Sequence, residues 1–365
     1  MELSDSHRNF QAEISLLMKD QTKGAGEVKA GERFFMDVPC SDSSGRRKSL
    51  DAASDKATVV SLFAGCGGLD LGFIGGFRFL GTFYPATGFD IVWANEINTA
   101  ACRTYQTNFG AGSIVEGDIN DCMATMPAHA DVLIGGFPCQ DISINGKMQG
   151  IKGKRSILYQ TMVEAVKRLR PCVFVAENVG SLLMRTHRET LGKILADFSS
   201  FGYHVTCRLY NTADYGVPQT RERVFIVGTR PDMHLFVPPA PLSVRPVTAR
   251  EAIGDLESLP EDRGFAHIWS KARVSGEQGN RSMVADRPGY TIRSECHGNI
   301  QFHYGLPRRI SMREAVRFQS FPDTFVFPCG LRETERQIGN AVPPVMAWHM
   351  AQAVKRVVKR EETHA

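Results

Sequence analysis

Residues 131–143 read Asp-Val-Leu-Ile-Gly-Gly-Phe-Pro-Cys-Gln-Asp-Ile-Ser, and this stretch decides the fold. The apolar run Val132-Leu133-Ile134 reads as a buried parallel strand, which the two glycines and Pro138 end in a sharp turn. Open α/β sheets place ligands and chemistry just outside the carboxyl ends of their strands, and Cys139 falls there. An isolated Pro-Cys pair would be read as packing. This one has company: a Gly-rich turn upstream at 63–72, Glu177-Asn178 downstream, and Gln219-Thr220-Arg221-Glu222-Arg223 beyond that.

Outward from this stretch, short apolar runs alternate with helical periodicity from Thr58 to Arg230. The pattern predicts strands at Val59–Phe63, Ile91–Glu96, Val132–Gly135, Val173–Glu177, Val205–Tyr210 and Val224–Val227. Helices fit between them at Thr99–Phe109, Ile157–Leu169, with Ser156 as N-cap and Pro171 as stop, and about Glu189–Phe201. Such alternation predicts an α/β fold, a Rossmann-like, mostly parallel sheet with helices on both faces.

The alternation fails after Arg230, where Pro231, Pro238, Pro239, Pro241 and Pro246 mark a linker. One short helix is expected in VTAREAIGDL, and residues 260–309 read as irregular. Helical pattern returns at Ser311–Phe318. A last helix follows Pro343-Pro344 and carries Ala347, Met350, Ala353, Val354 and Val357 on one face. The chain therefore divides into an extension (1–56), read as polar and mostly flexible, a main domain (57–230), a linker with a small irregular domain (231–308), and a return segment (309–365).

The chemistry begins at Phe63-Ala64-Gly65-Cys66-Gly67-Gly68, where a strand, a glycine turn and a helix start let a cofactor lie against bare backbone. The spacing is not the dinucleotide fingerprint G-x-G-x-x-G, which disfavours a nicotinamide dehydrogenase. Glu96, at the end of the next strand, is placed to accept from ribose hydroxyls, and Asp118 to hold an adenine amino group. Gly75–Gly88 reads as an inserted loop between the glycine turn and Glu96. Cys139 is the candidate nucleophile, because a thiolate is the most capable neutral-pH nucleophile and nearby positive charge supports it. Arg221 and Arg223 precede a strand, and alternation turns both to one face. Glu177 ends an apolar strand, where partial desolvation makes it hold its proton more tightly and lets it donate to a ring nitrogen.

These motifs, in this order, resemble the DNA (cytosine-5) methyltransferase family of bacterial restriction–modification systems, over about 59–228 and 309–347. The resemblance implies an S-adenosylmethionine-dependent methyltransferase fold plus a small target-recognition domain at 260–309. It implies addition of Cys139 to C6 of a flipped cytosine, with Glu177 on N3 and Arg223 contacting the base, supported by Arg221. The S-adenosyl-L-methionine pocket would take Phe63, Gly65, Gly67, Glu96, Ile97, Asp118, Ile119, Pro138 and Leu158. Asn340 and Val342 complete it from the far end of the chain, so the last helix must fold back beside the first strand.

Double-stranded DNA is the implied partner, met by Gln140, Ser143, Lys147, Arg155 and Arg293. Residues 140–156 read as a Gly- and Lys-rich lid over the substrate. Residues 260–309 hold Arg263, Lys271, Arg273, Arg281, Arg287, Arg293, Arg308 and Arg309 against five acids, a bias that suits phosphates. His297-Gly298-Asn299 and 288–293 are the loops placed in the major groove. A cognate restriction endonuclease would act separately on the same site.

Composition fits this and excludes little. Net charge is only +4, with 42% hydrophobic and 22% charged residues among 365. Nine cysteines without a C-x-x-C pair give no zinc spacing and no disulfide framework, so no metal is expected. The absence of a membrane-length apolar run predicts a soluble, cytoplasmic protein, read as a monomer. Two rivals remain at this point: methylation of transfer RNA, whose enzymes share the Cys-Glu-Arg set, and a DNA-binding regulator without catalysis.

Overall fold

The structure is a computed structural model and describes residues 56–137, 157–271, 281–294 and 301–358. In chain order it contains β1 (Ala57–Leu62), α1 (Gly68–Ile74), β2 (Phe77–Phe79), β3 (Thr82–Tyr84), β4 (Phe89–Glu96) and α2 (Thr99–Phe109). There follow β5 (Val115–Glu116), α3 (Ile119–Cys122), β6 (Val132–Gly135), α4 (Ile157–Leu169), β7 (Val173–Val179), α5 (Arg188–Ser199), β8 (His204–Asn211) and β9 (Glu222–Thr229). The remainder holds α6 (Ala249–Ile253), β10 (Arg281–Ser282), β11 (Gln301–Phe302), α7 (Met312–Phe318), α8 (Leu331–Asn340) and α9 (Pro344–Val358).

The main sheet has seven strands in the order β5-β4-β1-β6-β7-β9-β8. β5, β4, β1, β6 and β7 run parallel, and β9 lies antiparallel to both β7 and β8. After β1 the chain builds outward through β4 and β5, then crosses back to lay β6 on the other side of β1. That reversal opens a crevice at the carboxyl ends of β1 and β6, where the Gly-rich turn and Gly136-Phe137 emerge. Every strand expected from the sequence is present, with ends shifted by no more than two residues.

The two faces differ in their cover. Val59, Val132, Ile134, Val173, Val175, Phe225 and Val227 share one core with Val345, Met350, Val354 and Val357 of α9. Burial of each such side chain contributes about 1.5–3 kcal/mol. The close seat of α9 on α1 depends on Gly72, where a Cβ would lie 2.3 Å from Ala347 Cβ and 2.5 Å from the Pro344 carbonyl. The C-terminal helix thus returns beside the first strand and helix, as the position of Asn340 and Val342 required. On the opposite face Phe174 stacks on Phe198 of α5.

A second core joins Ala252 and Ile253 of α6, Met283, Ile292, Phe318, Phe321, Phe325 and Ile338, and reaches Cys66 in the glycine turn. The helices that close it are capped locally. Thr248 and Glu251 form a capping box on α6, and Ser311 and Glu314 form one on α7.

Two expectations are corrected, and one helix is added. The stretch 75–88 is not a loop but carries an antiparallel hairpin, β2–β3, whose Phe77 and Phe79 point into the core. Helix α8 was not foreseen. Arg308 and Arg309 are not free phosphate partners: Arg308 pairs with buried Glu314 at 2.7 Å and Arg309 with Glu335 at 3.0 Å. Arg263, Arg281, Arg287 and Arg293 are exposed.

Candidate active site

The carboxyl edge of the sheet has two halves. In the first, β1 hands over to a turn in which Phe63 has φ 54°, Gly65 φ 58° and Gly67 φ 92°, a left-handed path that favours glycine. Gly65 N donates to Glu96 Oε2 at 3.0 Å, and Asn98 N donates to Glu96 Oε1 at 2.8 Å. One carboxylate therefore ties the glycine turn to the start of α2, which Asn98 caps through Ala101 N. Gly117 N donates to the Glu96 carbonyl at 3.0 Å, and this brings Asp118 beside Glu96. Asp118 caps α3, accepting from the backbone N and Nδ2 of Asn120 at 2.9 Å.

This half leaves room for a ligand. A Cβ on Gly65 would meet nothing within 4 Å, and Ile97 is 66% exposed directly after Glu96. Val342 supplies a carbonyl that lies 2.3 Å from where a Cβ on Gly68 would stand. Asn340 is exposed at the end of α8, Leu158 is half-buried in the first turn of α4, and Ile119 is buried in α3. Bare backbone, an exposed aliphatic side chain and a carboxylate in sequence fit a nucleoside-bearing cofactor.

Under the turn sits Asp70, fully buried, accepting from the Tyr105 hydroxyl at 2.9 Å. Burial pushes its carboxyl up to about 6, against the lowering effect of Tyr105. Burial likewise pushes the Cys66 thiol up to about 12, so this cysteine is inert as a nucleophile at neutral pH.

The second half is built by β6, β7 and β9. In the β7–β9 register Val179 faces Arg223 and Glu177 faces Phe225, so Arg223 and Glu177 are diagonal neighbours on one face. Arg223 Nε meets Glu177 Oε1 at 2.9 Å, and each side chain is 11% exposed. Burial raises the Glu177 pKa, and the guanidinium groups of Arg223 and Arg221 oppose it. Glu177 Oε2 lies 3.0 Å from where a Cβ on Gly136 would stand. Asn178 Nδ2 donates to the Phe137 carbonyl at 3.1 Å, while its Oδ1 accepts from Val179 N. The acid and the chain leading to Cys139 are thus locked side by side.

Arg221 shares the face of Arg223 but has a different task. It is 1% exposed, and its terminal nitrogens donate to the carbonyls of Ile292 (2.7 Å), Gly339 (2.7 Å) and Ala341 (3.3 Å). It reaches Glu177 through charge alone. Pro138, Cys139, Gln140, Ser143, Lys147, Arg155, Ser156 and 297–299 lie outside the described residues, as does the extension to residue 55. Sequence reading missed Asn178, which stood in plain view next to Glu177, and the buried pair Gln219 and Gln319.

The model of C-5 cytosine-specific DNA methylases matches this chain over residues 57–288 and 267–356. The chain belongs to that family. It is 37% identical over 344 residues to the Type II methyltransferase M.NgoFVII of Neisseria gonorrhoeae, which spans 84% of this chain and 88% of that one. It is 32% identical to M.NgoPII of the same organism, over 83% of this chain and 96% of the other. Among solved structures, a prophage-encoded E. coli protein described as a candidate DNA modification methyltransferase superposes with TM-score 0.64. That likeness, at 22% identity over 84% of this chain and all of the other, concerns the fold.

As a cytosine-5 DNA methyltransferase the protein acts on DNA and requires a methyl donor. Neither methylation of transfer RNA nor a purely regulatory role is favoured by these relatives. Among the described residues no group of three or more His, Cys, Asp or Glu is placed to hold a metal ion. No described helix is long and apolar enough to cross a membrane.

Proposed function

We propose that this methyltransferase transfers the methyl group of S-adenosylmethionine to C5 of cytosine in a short, specific double-stranded DNA sequence. The observation that carries the proposal is the Glu177–Arg223 pair lying against Gly136, three residues ahead of Cys139.

When bound, S-adenosylmethionine supplies an electrophilic methyl group. Gly65, Glu96, Ile97 and Asp118 would hold its nucleoside, with Phe63, Gly67, Ile119, Pro138, Leu158, Asn340 and Val342 around it. The target base leaves the duplex to reach the crevice. Cys139 thiolate adds to C6 while Glu177 gives a proton to N3, which makes C5 an enamine carbon able to attack. Arg223 holds Glu177 in place and faces the base. Loss of the C5 proton and elimination of the thiolate then restore the ring. The raised pKa of Glu177 supports its role as the proton donor, and the Asn178 bond to the Phe137 carbonyl ties the strand that carries Glu177 to the end of the segment that precedes Cys139.

Exposed Arg293, with Gln140, Ser143, Lys147 and Arg155, would meet the DNA. The modified site would be protected from a cognate restriction endonuclease, as the names of the relatives suggest. The enzyme would work as a cytoplasmic monomer, with residues 231–308 as linker and target-recognition unit between the two parts of a discontinuous catalytic domain, 57–230 and 309–365.

The test is expression in a host without cytosine methylation, followed by bisulfite sequencing of its DNA, with Cys139→Ser as control. Protected cytosines in one short motif, absent with the variant, are expected. Unprotected DNA despite soluble protein would refute the reading.

A further inference from the structure

The stretch that carries Arg223 also anchors a buried amide pair that the chemistry leaves unused. Gln219 and Gln319 are both fully buried. Gln219 Nε2 donates to Gln319 Oε1 at 2.6 Å and to the Phe318 carbonyl at 3.0 Å, while Gln219 Oε1 accepts from Ile292 N at 2.7 Å. Gln319 Nε2 donates onward to the carbonyls of Ile338 (2.5 Å) and Ala341 (3.2 Å). Arg221 spans the same gap, from Ile292 to Gly339 and Ala341.

Three segments distant in sequence meet at this joint. Residues 289–292 lie along 218–221 through Gly289 N to the Pro218 carbonyl at 2.9 Å and Thr220 N to the Gly289 carbonyl at 2.8 Å. At the other side, a Cβ on Gly339 would lie 2.2 Å from Ser294 N and 2.3 Å from Arg293 C, so the two backbones touch. One segment ends in exposed Arg293, and the other leads into Asn340 and Val342. Sliding either segment would strand buried carbonyls and amides, each at the desolvation cost of an unmade hydrogen bond.

We infer that Gln219 and Gln319 are positioning residues that hold the Gly289–Arg293 segment and the Gly339–Val342 turn as one unit, coupling DNA recognition to cofactor binding. The inference rests on the proposed roles of Arg293 toward DNA and of Asn340 and Val342 toward the cofactor. The two glutamines touch neither ligand. They act by fixing the backbone that does, and the coupling is reciprocal: DNA tightens the cofactor by the factor by which the cofactor tightens DNA.

The test uses the full-length enzyme with Gln219→Met and Gln319→Met, which keep volume and lose the hydrogen bonds. Thr334→Ala is the control, a buried residue of α8 bonded to the Cys329 carbonyl rather than to this joint. Calorimetry gives the Kd for S-adenosylhomocysteine with and without a duplex bearing the methylated motif, and steady-state kinetics give both KM values. Wild-type enzyme is expected to bind S-adenosylhomocysteine at least about five-fold tighter with DNA present. Each glutamine variant should lose that enhancement and raise both KM values together. The double variant should be no worse than the worse single one, since one joint is broken once. Thr334→Ala should keep the enhancement. Folded glutamine variants that keep it, or that move only one KM, would overturn the inference, as would wild-type binding indifferent to DNA. Should Gln319→Met not fold, Gln219→Met alone decides between these outcomes. A wild-type enzyme that binds no S-adenosylhomocysteine refutes the functional reading beneath it instead.

Discussion

The two halves of the sheet edge use the same residue type in opposite ways. On the β1–β4 side, Glu96 sits at the mouth of the crevice and accepts from two backbone N–H groups. On the β7–β9 side, Glu177 is enclosed, paired with Arg223 and has a raised pKa. A carboxylate that shapes a binding turn needs donors around it. One proposed to part with a proton, as Glu177 is, needs low solvation and a counter-charge close enough to hold it in place. The difference follows from topology: β7 is flanked by strands on both sides, whereas β4 has beyond it only the two-residue β5.

Separating the two halves by mutation should separate kcat from cofactor affinity. Glu177→Gln keeps the shape and removes the exchangeable proton, so kcat should fall by about 10²–10⁴. Affinity for S-adenosylhomocysteine, read by calorimetry, should stay near wild type. A variant that lost both would erase the distinction. Glu96→Ala should do the reverse, weakening S-adenosylhomocysteine by roughly 30- to 100-fold, about 2–3 kcal/mol for lost hydrogen bonds to a charged group. Its kcat at saturating cofactor should change little.

Asp70 sharpens the contrast through pH. Its folded pKa of about 6 lies above the unfolded value near 3.8. The folded state therefore holds more protons than the unfolded one between those values, and stability falls as pH rises from about 4 to 7. Asp70→Asn should flatten this slope by about 2 kcal/mol in urea melts, with Tyr105 still hydrogen-bonded. An unchanged slope would mean that the carboxyl is solvated. The smallest effect belongs to Thr248→Ala, away from both halves. Losing the α6 capping box should cost about 1 kcal/mol and leave kcat unaltered.

Much of this was legible in the chain. The glycine turn, the apolar runs and the acids at strand ends are local signals, and they gave the order of the main-sheet strands and put Glu177 at the end of its strand; that Glu177 pairs with Arg223 appears only in the β7–β9 register. What escaped notice depended on distant partners. Arg221 and Arg223 look equivalent two residues apart, yet one meets a carboxylate and the other three carbonyls supplied by residues 292, 339 and 341. Helix α8, Leu331–Asn340, is too polar to announce itself, because Gly339 and Ile338 bury its last turn by close backbone approach rather than by an apolar stripe. The hairpin at 77–84 was hidden by its glycines, and the pairing of Arg309 by its distance in sequence from Glu335. Gln319 carried no signal at all: a glutamine in an apolar stretch shows its role only when Gln219 is set against it.

The most direct test of the covalent mechanism is adduct formation on a duplex with 5-fluorocytosine at the target position, in the presence of S-adenosylmethionine. Fluorine cannot leave C5 as a proton does, so methylation proceeds and elimination of the thiolate does not. The covalent mechanism predicts a denaturation-resistant complex with the mass of protein, duplex and one methyl group. Peptide mapping should place it on Cys139, and Cys139→Ser should form none. Methylation of ordinary duplex without any trapped adduct, or an adduct on another cysteine, would contradict it.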